Sequence, residues 1–262
     1  MCIRDRSESY YFGQGKLWIA EIGAGGVLGD WVWLGDVSEL TGQGNETRVQ
    51  HRESFSGVNA MVRDFGKEAG MTWNATMHQL DTDNVGRFTR SRMSAQIAGT
   101  VTGEQLPNPV EDDELITLDY MNVTDLVITD SLTPTPATLV RGTHYDYDIF
   151  GDVEILTLPT SPAPTFPLLA AYSHGATKQA AFLAGTDKNY ALKFKGKNLA
   201  ENGAPVLVEL YKTSAGLLQQ LSLITSGNQL AGSPVTFTTL LDSSKPASGD
   251  LGQFGRFVDM VA

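Results

Sequence analysis

The sequence predicts a mainly β protein, an antiparallel sandwich or barrel-like fold with one short flanking α-helix. Three observations predict it. Hydrophobic residues make up 41% and charged residues 19% of 262 residues, with 27 Gly and 11 Pro, a strand-and-turn composition. Two segments, 71–77 and 190–211, alternate apolar and polar residues with the period of two that a half-buried strand requires. Only one segment, 82–92, combines helical spacing with a cap.

The elements follow in order. Residues 10–22 are aromatic and β-branched and run into the glycine cluster Gly23–Gly29, so they predict a strand and a turn. Residues 31–37 are strand-like again and complete a hairpin. Residues 38–60 mix charges with few apolar anchors, as an assembly arm or long hairpin would that finds burial on a neighbouring subunit. Ala60–Asp64 and Gly70–Met77 read as two strands around a turn-like Phe65-Gly66-Lys67-Glu68. In the second, Met71, Trp73, Ala75 and Met77 share one face. Asp81 to Asn84 supply cap candidates ahead of Val85, Phe88 and Arg92, which predicts the helix over 82–92.

Strands are expected again at 116–129, 145–150, 153–158 and 168–173, with Pro134, Pro136, Pro159, Pro162, Pro164 and Pro167 lying between them. Tyr190, Leu192 and Phe194, then Val206, Val208 and Leu210, predict a hairpin with one buried face. Further strands are expected at 217–225, 235–241 and 255–261. No linker compels a second domain. Residues 1–6 have the form of a non-native leader and are set aside, and Cys2, the only cysteine, goes with them. A single cysteine excludes a disulfide framework and a Cys-rich metal site. Apolar runs such as 166–172 are far short of the roughly 20 residues a membrane helix needs.

The net charge is −11, and residues 101–160 carry all of it: twelve acidic side chains against Arg141 alone. Phosphate affinity comes chiefly from Lys and Arg, so this strand-rich segment, a possible insertion, argues against sequestering nucleic acid. Gly23–Gly29 follows a strand as a dinucleotide loop does, but the next element is strand-like, so it reads as a hairpin turn. Asp81-Thr82-Asp83-Asn84 opens like a calcium loop, yet Val85 holds a ligand position and Arg92 stands where the bidentate Glu belongs. His144, Asp146, Asp148 and Asp152 are close in sequence but point in differing directions. No nucleophile elbow is present, and no nucleophile, base and metal converge, so the chain reads as non-enzymatic and without a cofactor. Asn45, Asn74 and Asn122 stand in chance sequons.

The segments Tyr11-Phe-Gly-Gln-Gly-Lys-Leu-Trp18, Trp33-Leu-Gly-Asp-Val-Ser-Glu-Leu40 and Glu53-Ser-Phe-Ser-Gly57 occur in an order that resembles major tail tube proteins of siphophages. The likeness continues in Ala170-Ala-Tyr-Ser-His-Gly175, Tyr190-Ala-Leu-Lys-Phe-Lys-Gly-Lys-Asn198 and Gly252-Gln-Phe-Gly255, so it covers most of residues 10–262. The resemblance implies a tail tube domain over 7–262 and a six-fold ring whose inner strands line a lumen. Rings stack into a tube that conducts the genome. It also implies a virion tail location after assembly in the host cytoplasm, with tape-measure, tail terminator and baseplate proteins as partners and DNA in transient passage, and no membrane. On the arm, Val49 and Phe55 are expected to bury against adjacent subunits. A conduit should not grip its cargo, so Asp119, Asp125, Asp146, Asp148, Asp152 and Glu154 are the candidates for an acidic lumen wall. The rivals are a tube component of a contractile injection or secretion system, and a carbohydrate-binding β-sandwich. The last would need exposed aromatic platforms, whereas Trp18, Trp31 and Trp33 read as core.

Overall fold

A computed structural model describes residues 10–227 and 230–260. The leader at 1–6 and Cys2 lie outside the described residues. The chain is mainly β, its ladders antiparallel, with one α-helix among the described residues. It divides into two compact units, one made of the residues up to Arg92 and from Ala180 onward, the other of Met93–Gln179. No linker marks the division, because the chain passes between units in strands rather than through a Gly- or Pro-rich tether.

The first unit begins with β1 (Gly13–Ile22), a tight turn at Ala24–Gly26, and β2 (Val32–Trp33), which returns along β1 with Trp33 opposite Trp18. Next come two long strands, β3 (Val37–Arg52) and β4 (Met61–Met77). The turn expected at 65–68 is absent: β4 runs straight through it, with a bulge where Thr47 and Arg48 face Glu68 and Gly66. Phe65, Gly66 and Glu68 have partners on β3, with Lys67 as the bulged residue, and that pairing outweighs the local turn preference of Gly66. Helix α1 (Thr82–Phe88) starts where the Asp81 side chain accepts a hydrogen bond from the Asn84 N–H at 2.8 Å. It stops at Thr89, four residues short of the expected end, because Arg92 already belongs to a strand.

The second unit holds β6 (Gly99–Gln105), β7 (Leu115–Thr117), β8 (Val123–Thr129), β9 (Tyr145–Tyr147), β10 (Asp152–Ile155) and β11 (Leu169–His174), and the division falls within β5 (Arg92–Gln96) and β12 (Thr177–Ala181). Strands β5, β6 and β12 carry too few apolar residues to stand out in the sequence. Two three-stranded sheets, β7-β10-β9 and β6-β11-β8, enclose a core of Leu118, Ile128, Tyr145, Val153, Ile155 and Leu168. Strands β5 and β12 pair with each other where the chain enters and leaves. All twelve acids of 101–160 therefore lie in this unit.

The chain then completes the first unit with β13 (Asn189–Asn198), β14 (Ala204–Ala215), β15 (Ser233–Thr239) and β16 (Gly255–Asp259). The strand expected at 217–225 is not formed; these residues are loop, and no ladder reaches them. The eight-stranded sheet runs β2-β1-β13-β14-β15-β4-β3, with β16 also on β14. Its core holds Leu17, Ile19, Leu192, Leu210 and Phe237, and Phe88 from α1 meets Phe237 edge-on with ring centroids 5.7 Å apart. This second, separate core is the physical reason the chain is two units rather than one.

Candidate assembly surfaces

The first surface is the β3–β4 arm. Strand β15 pairs with β4 only from Thr72 to Met77, so from Gly44 to Met71 the hairpin is a bare two-stranded ribbon, about 30 Å long at 3.4 Å per residue. An isolated hairpin is marginal in water. The register puts Val49 opposite Phe65 on one side, where they are 37% and 53% exposed. On the other side Arg48 bridges Glu46 and Asp64 at 3.0 and 2.9 Å. Four acids and four bases leave the ribbon neutral. One side thus carries an uncovered apolar pair, flanked by His51 opposite Arg63, and the other is internally neutralised.

At the tip, Glu53 is buried although its neighbours are exposed. It accepts the N–H groups of Phe55, Ser56 and Ala60 at 2.9, 2.8 and 3.2 Å, together with the Ser56 hydroxyl. The Ser56 hydroxyl and backbone bonds pull its carboxyl down to about 2. This knot fixes the turn and holds Phe55 outward, 88% exposed. Val49 and Phe55 thus belong to one exposed arm, as a surface awaiting a partner requires.

The second surface is the four-stranded stretch β1-β13-β14-β16. Gly15, Gly196, Val206 and Asp259 lie at one level across it, and Leu17, Phe194, Val208 and Phe257 at the next. Among the described residues, no strand pairs with the outer edge of β16 or with β1 at Gly13–Lys16, and at Leu17 the carbonyl accepts the Leu34 N–H at 3.0 Å. Strand direction alternates across the four, so β16 runs opposite to β1. A copy rotated beside the first would bring β16 to β1 antiparallel and continue the ladder.

One side of this sheet is core; the other carries Lys16, Trp18, Lys193, Lys195, Lys197 and Glu209. Here the expectation for the tryptophans is corrected. Trp18 and Trp31 are half-buried and Trp33 is 44% exposed, on the side facing away from the core. Leu17 and Ile19 point inward, so Trp18 between them must point out. Each indole is covered by an ammonium: Lys16 on Trp33 at 5.0 Å, Lys193 on Trp31 at 4.6 Å, Lys195 on Trp18 at 5.9 Å. Sequence reasoning missed this face, although the alternation of Leu192 and Phe194 with Lys193 and Lys195 contains the signal. Glu209 anchors its centre, paired with Lys193 at 3.0 Å and Arg256 at 2.6 Å. Burial raises that carboxyl, but hydrogen bonds from the two cations outweigh it and leave it below the ordinary range. Beside it lies a cleft of about 660 Å³ lined by Gly25, Trp31, Tyr211, Lys245 and others.

A family model described as Protein of unknown function UCP028589 matches residues 10–258. The chain belongs to this family. The stretch matched to UCP028589 takes in the arm, the open-edged sheet and the whole 93–179 unit. No curated protein matches the chain.

The six acids proposed for a lumen do not form one wall. Asp146 and Glu154 are direct neighbours on β9 and β10, and Asp152 stands two residues away on the same side, so these three share a face. Like charges opposite each other cost stability, and Arg141 offsets this through its 2.8 Å bond to Asp146. That bond, with the Tyr147 N–H, lowers the Asp146 carboxyl. Asp152 accepts the Thr117 hydroxyl at 2.7 Å. Asp148 instead closes the β9–β10 turn through the N–H groups of Phe150 and Asp152. Asp119 follows β7, and Asp125 sits at an irregularity of β8 with φ of 55°. His144 is occupied by the Val140 N–H. Among the described residues, no three His, Cys, Asp or Glu side chains converge as a metal site would need. None of their helices is long and apolar enough to cross a membrane.

Proposed function

We propose that the chain is a structural subunit of a phage tail tube, assembling as a six-fold ring that stacks into a conduit for the genome. The observation that carries the reading is the sheet β1-β13-β14-β16, whose two open edges lie at one level and run in opposite directions. Open edges invite pairing with another chain, and a closed ring of copies satisfies all of them. The arm supports the same reading from a second direction: Val49, Phe65 and Phe55 have no cover within the chain and suit a neighbouring copy. In this reading Asp146, Asp152 and Glu154 form the face that repels phosphate during DNA passage. Tape-measure, terminator and baseplate proteins complete the tail at its core and ends.

The experiment is a cross-link across the joint. Gln14→Cys and Met260→Cys, in a background with Cys2→Ser, place one thiol at each open edge, at one level and on one face. Oxidation should give a ladder that ends at a closed hexamer, with rings in negative-stain images. A ladder that stops at monomer, with no rings at any concentration, would remove the proposal. A sheath-binding assay separates this tube from that of a contractile injection system. Exposed tryptophans are the observation that favours a carbohydrate-binding reading, but each already has an ammonium over the ring face that a sugar would use. Glycan-array binding by the wild-type protein would reverse that preference.

A further inference from the structure

The charge of the whole chain hides a local reversal. At one end of the open-edged sheet a groove of about 620 Å³ is lined by Gln14, Lys16, Lys195, Lys197, Leu207 and Met260. A Cβ on Gly15 would strike the Lys195 carbonyl, the Gly196 Cα and the Phe194 ring, so the two strands lie close against each other at this end. Lys16 and Lys195 are directly opposed in the register, an arrangement that is destabilising without a counter-charge. Among the described residues, no carboxylate pairs with Lys16, Lys195 or Lys197. The nearest ion pair on this face, Glu209, is shared by Lys193 and Arg256. Lys193, Lys195 and Lys197 form a row of about 14 Å, each two residues beyond the last. The acids responsible for the net charge are all in the other unit.

We infer that this groove is a nucleic-acid backbone site, taking phosphates on Lys16, Lys195 and Lys197. Among the described residues, no carboxylate holds any of the three ammonium groups, so all three can take part in the counter-ion exchange on which phosphate affinity rests. The inference stands apart from the ring proposal, since the groove is complete in one chain.

The test is fluorescence anisotropy of a labelled oligonucleotide, single-stranded in one arm and duplex in the other, across a salt series. The wild-type protein should bind at low salt. Changing Lys16, Lys195 and Lys197 together to Gln should weaken binding about tenfold or more, and should flatten the slope of log K against log salt by about 2 for single strands and nearly 3 for duplex. Lys197→Gln alone, exposed and unpaired, should flatten it by about 0.7 to 0.9 if the triple variant misfolds. Neutralising Asp146, Asp152 and Glu154 should not weaken binding. Wild-type protein that ignores both oligonucleotides, or unchanged slopes in the lysine variants, would overturn the inference. So would lysine variants that bind DNA normally and lose only self-association, which would assign the groove to a second copy. Negative-stain images of the same samples score the ring proposal independently.

Discussion

Replacing Phe55 with Ala separates assembly from folding. In the single chain its ring is 88% exposed and held out by the Glu53 knot, so truncation removes almost no intramolecular contact. Stability of the monomer should change by less than about 0.5 kcal/mol. If a neighbouring copy buries the ring, each contact loses about 2 to 3 kcal/mol of apolar transfer energy. At about 1.4 kcal/mol per factor of ten, association weakens roughly 30- to 150-fold per contact. Sedimentation velocity over a concentration series reads the association, and a thermal melt of dilute protein reads the fold. Unchanged association would refute the assignment of Phe55 to an interface. A large fall in melting temperature would refute the claim that the ring does nothing within its own chain. Phe55→Asp sharpens the test, because a buried carboxylate should abolish tubes outright.

The other expectations concern the tip and the core. Glu53 has its carboxyl lowered from 4.5 to about 2, so the folded tip holds protons less readily than the unfolded chain. Its contribution is complete above pH 4.5 and is lost as pH falls through about 2. The protection factors of the Phe55, Ser56 and Ala60 amides should fall as pH drops through that window and be small at neutral pH in Glu53→Ala; protection unaffected by either would contradict the knot. Phe237→Ala empties the centre of the first unit's core, where the ring is fully buried against Phe88, and should cost about 3 to 5 kcal/mol. Amides of Leu192 and Leu210 should lose protection before those of Val153 and Ile155, which belong to the other core. Equal loss in both sets would mean the two cores melt as one.

Much of the fold was legible where alternation and burial agree. The 190–211 hairpin, the Asp81 cap and the long arm all follow from local pattern, because period two and a side-chain cap are properties of a few neighbouring residues. The tryptophans were misread because aromatic residues were assigned to the core by type, while the positions of Leu17 and Ile19 already force Trp18 outward. The turn at 65–68 and the strand at 217–225 fail for one reason seen from two sides: a partner strand exists for the first segment and none for the second. The division into units was invisible since Val153 and Phe237 are equally apolar in sequence, and only the pairing of strands assigns them to different cores. The lysine groove depends on three strands meeting in register, which no local window contains. For the six acids, Asp146, Asp152 and Glu154 come together because alternation holds there, and Asp125 departs because β8 is irregular at that point.

The central claim is that these open β edges and the bare arm are completed by further copies of the chain. Negative-stain microscopy of the purified wild-type protein at high concentration tests it most directly. The account predicts six-fold rings and short tubes. A uniform field of single particles, with a monomer mass by light scattering under every condition tried, would contradict it.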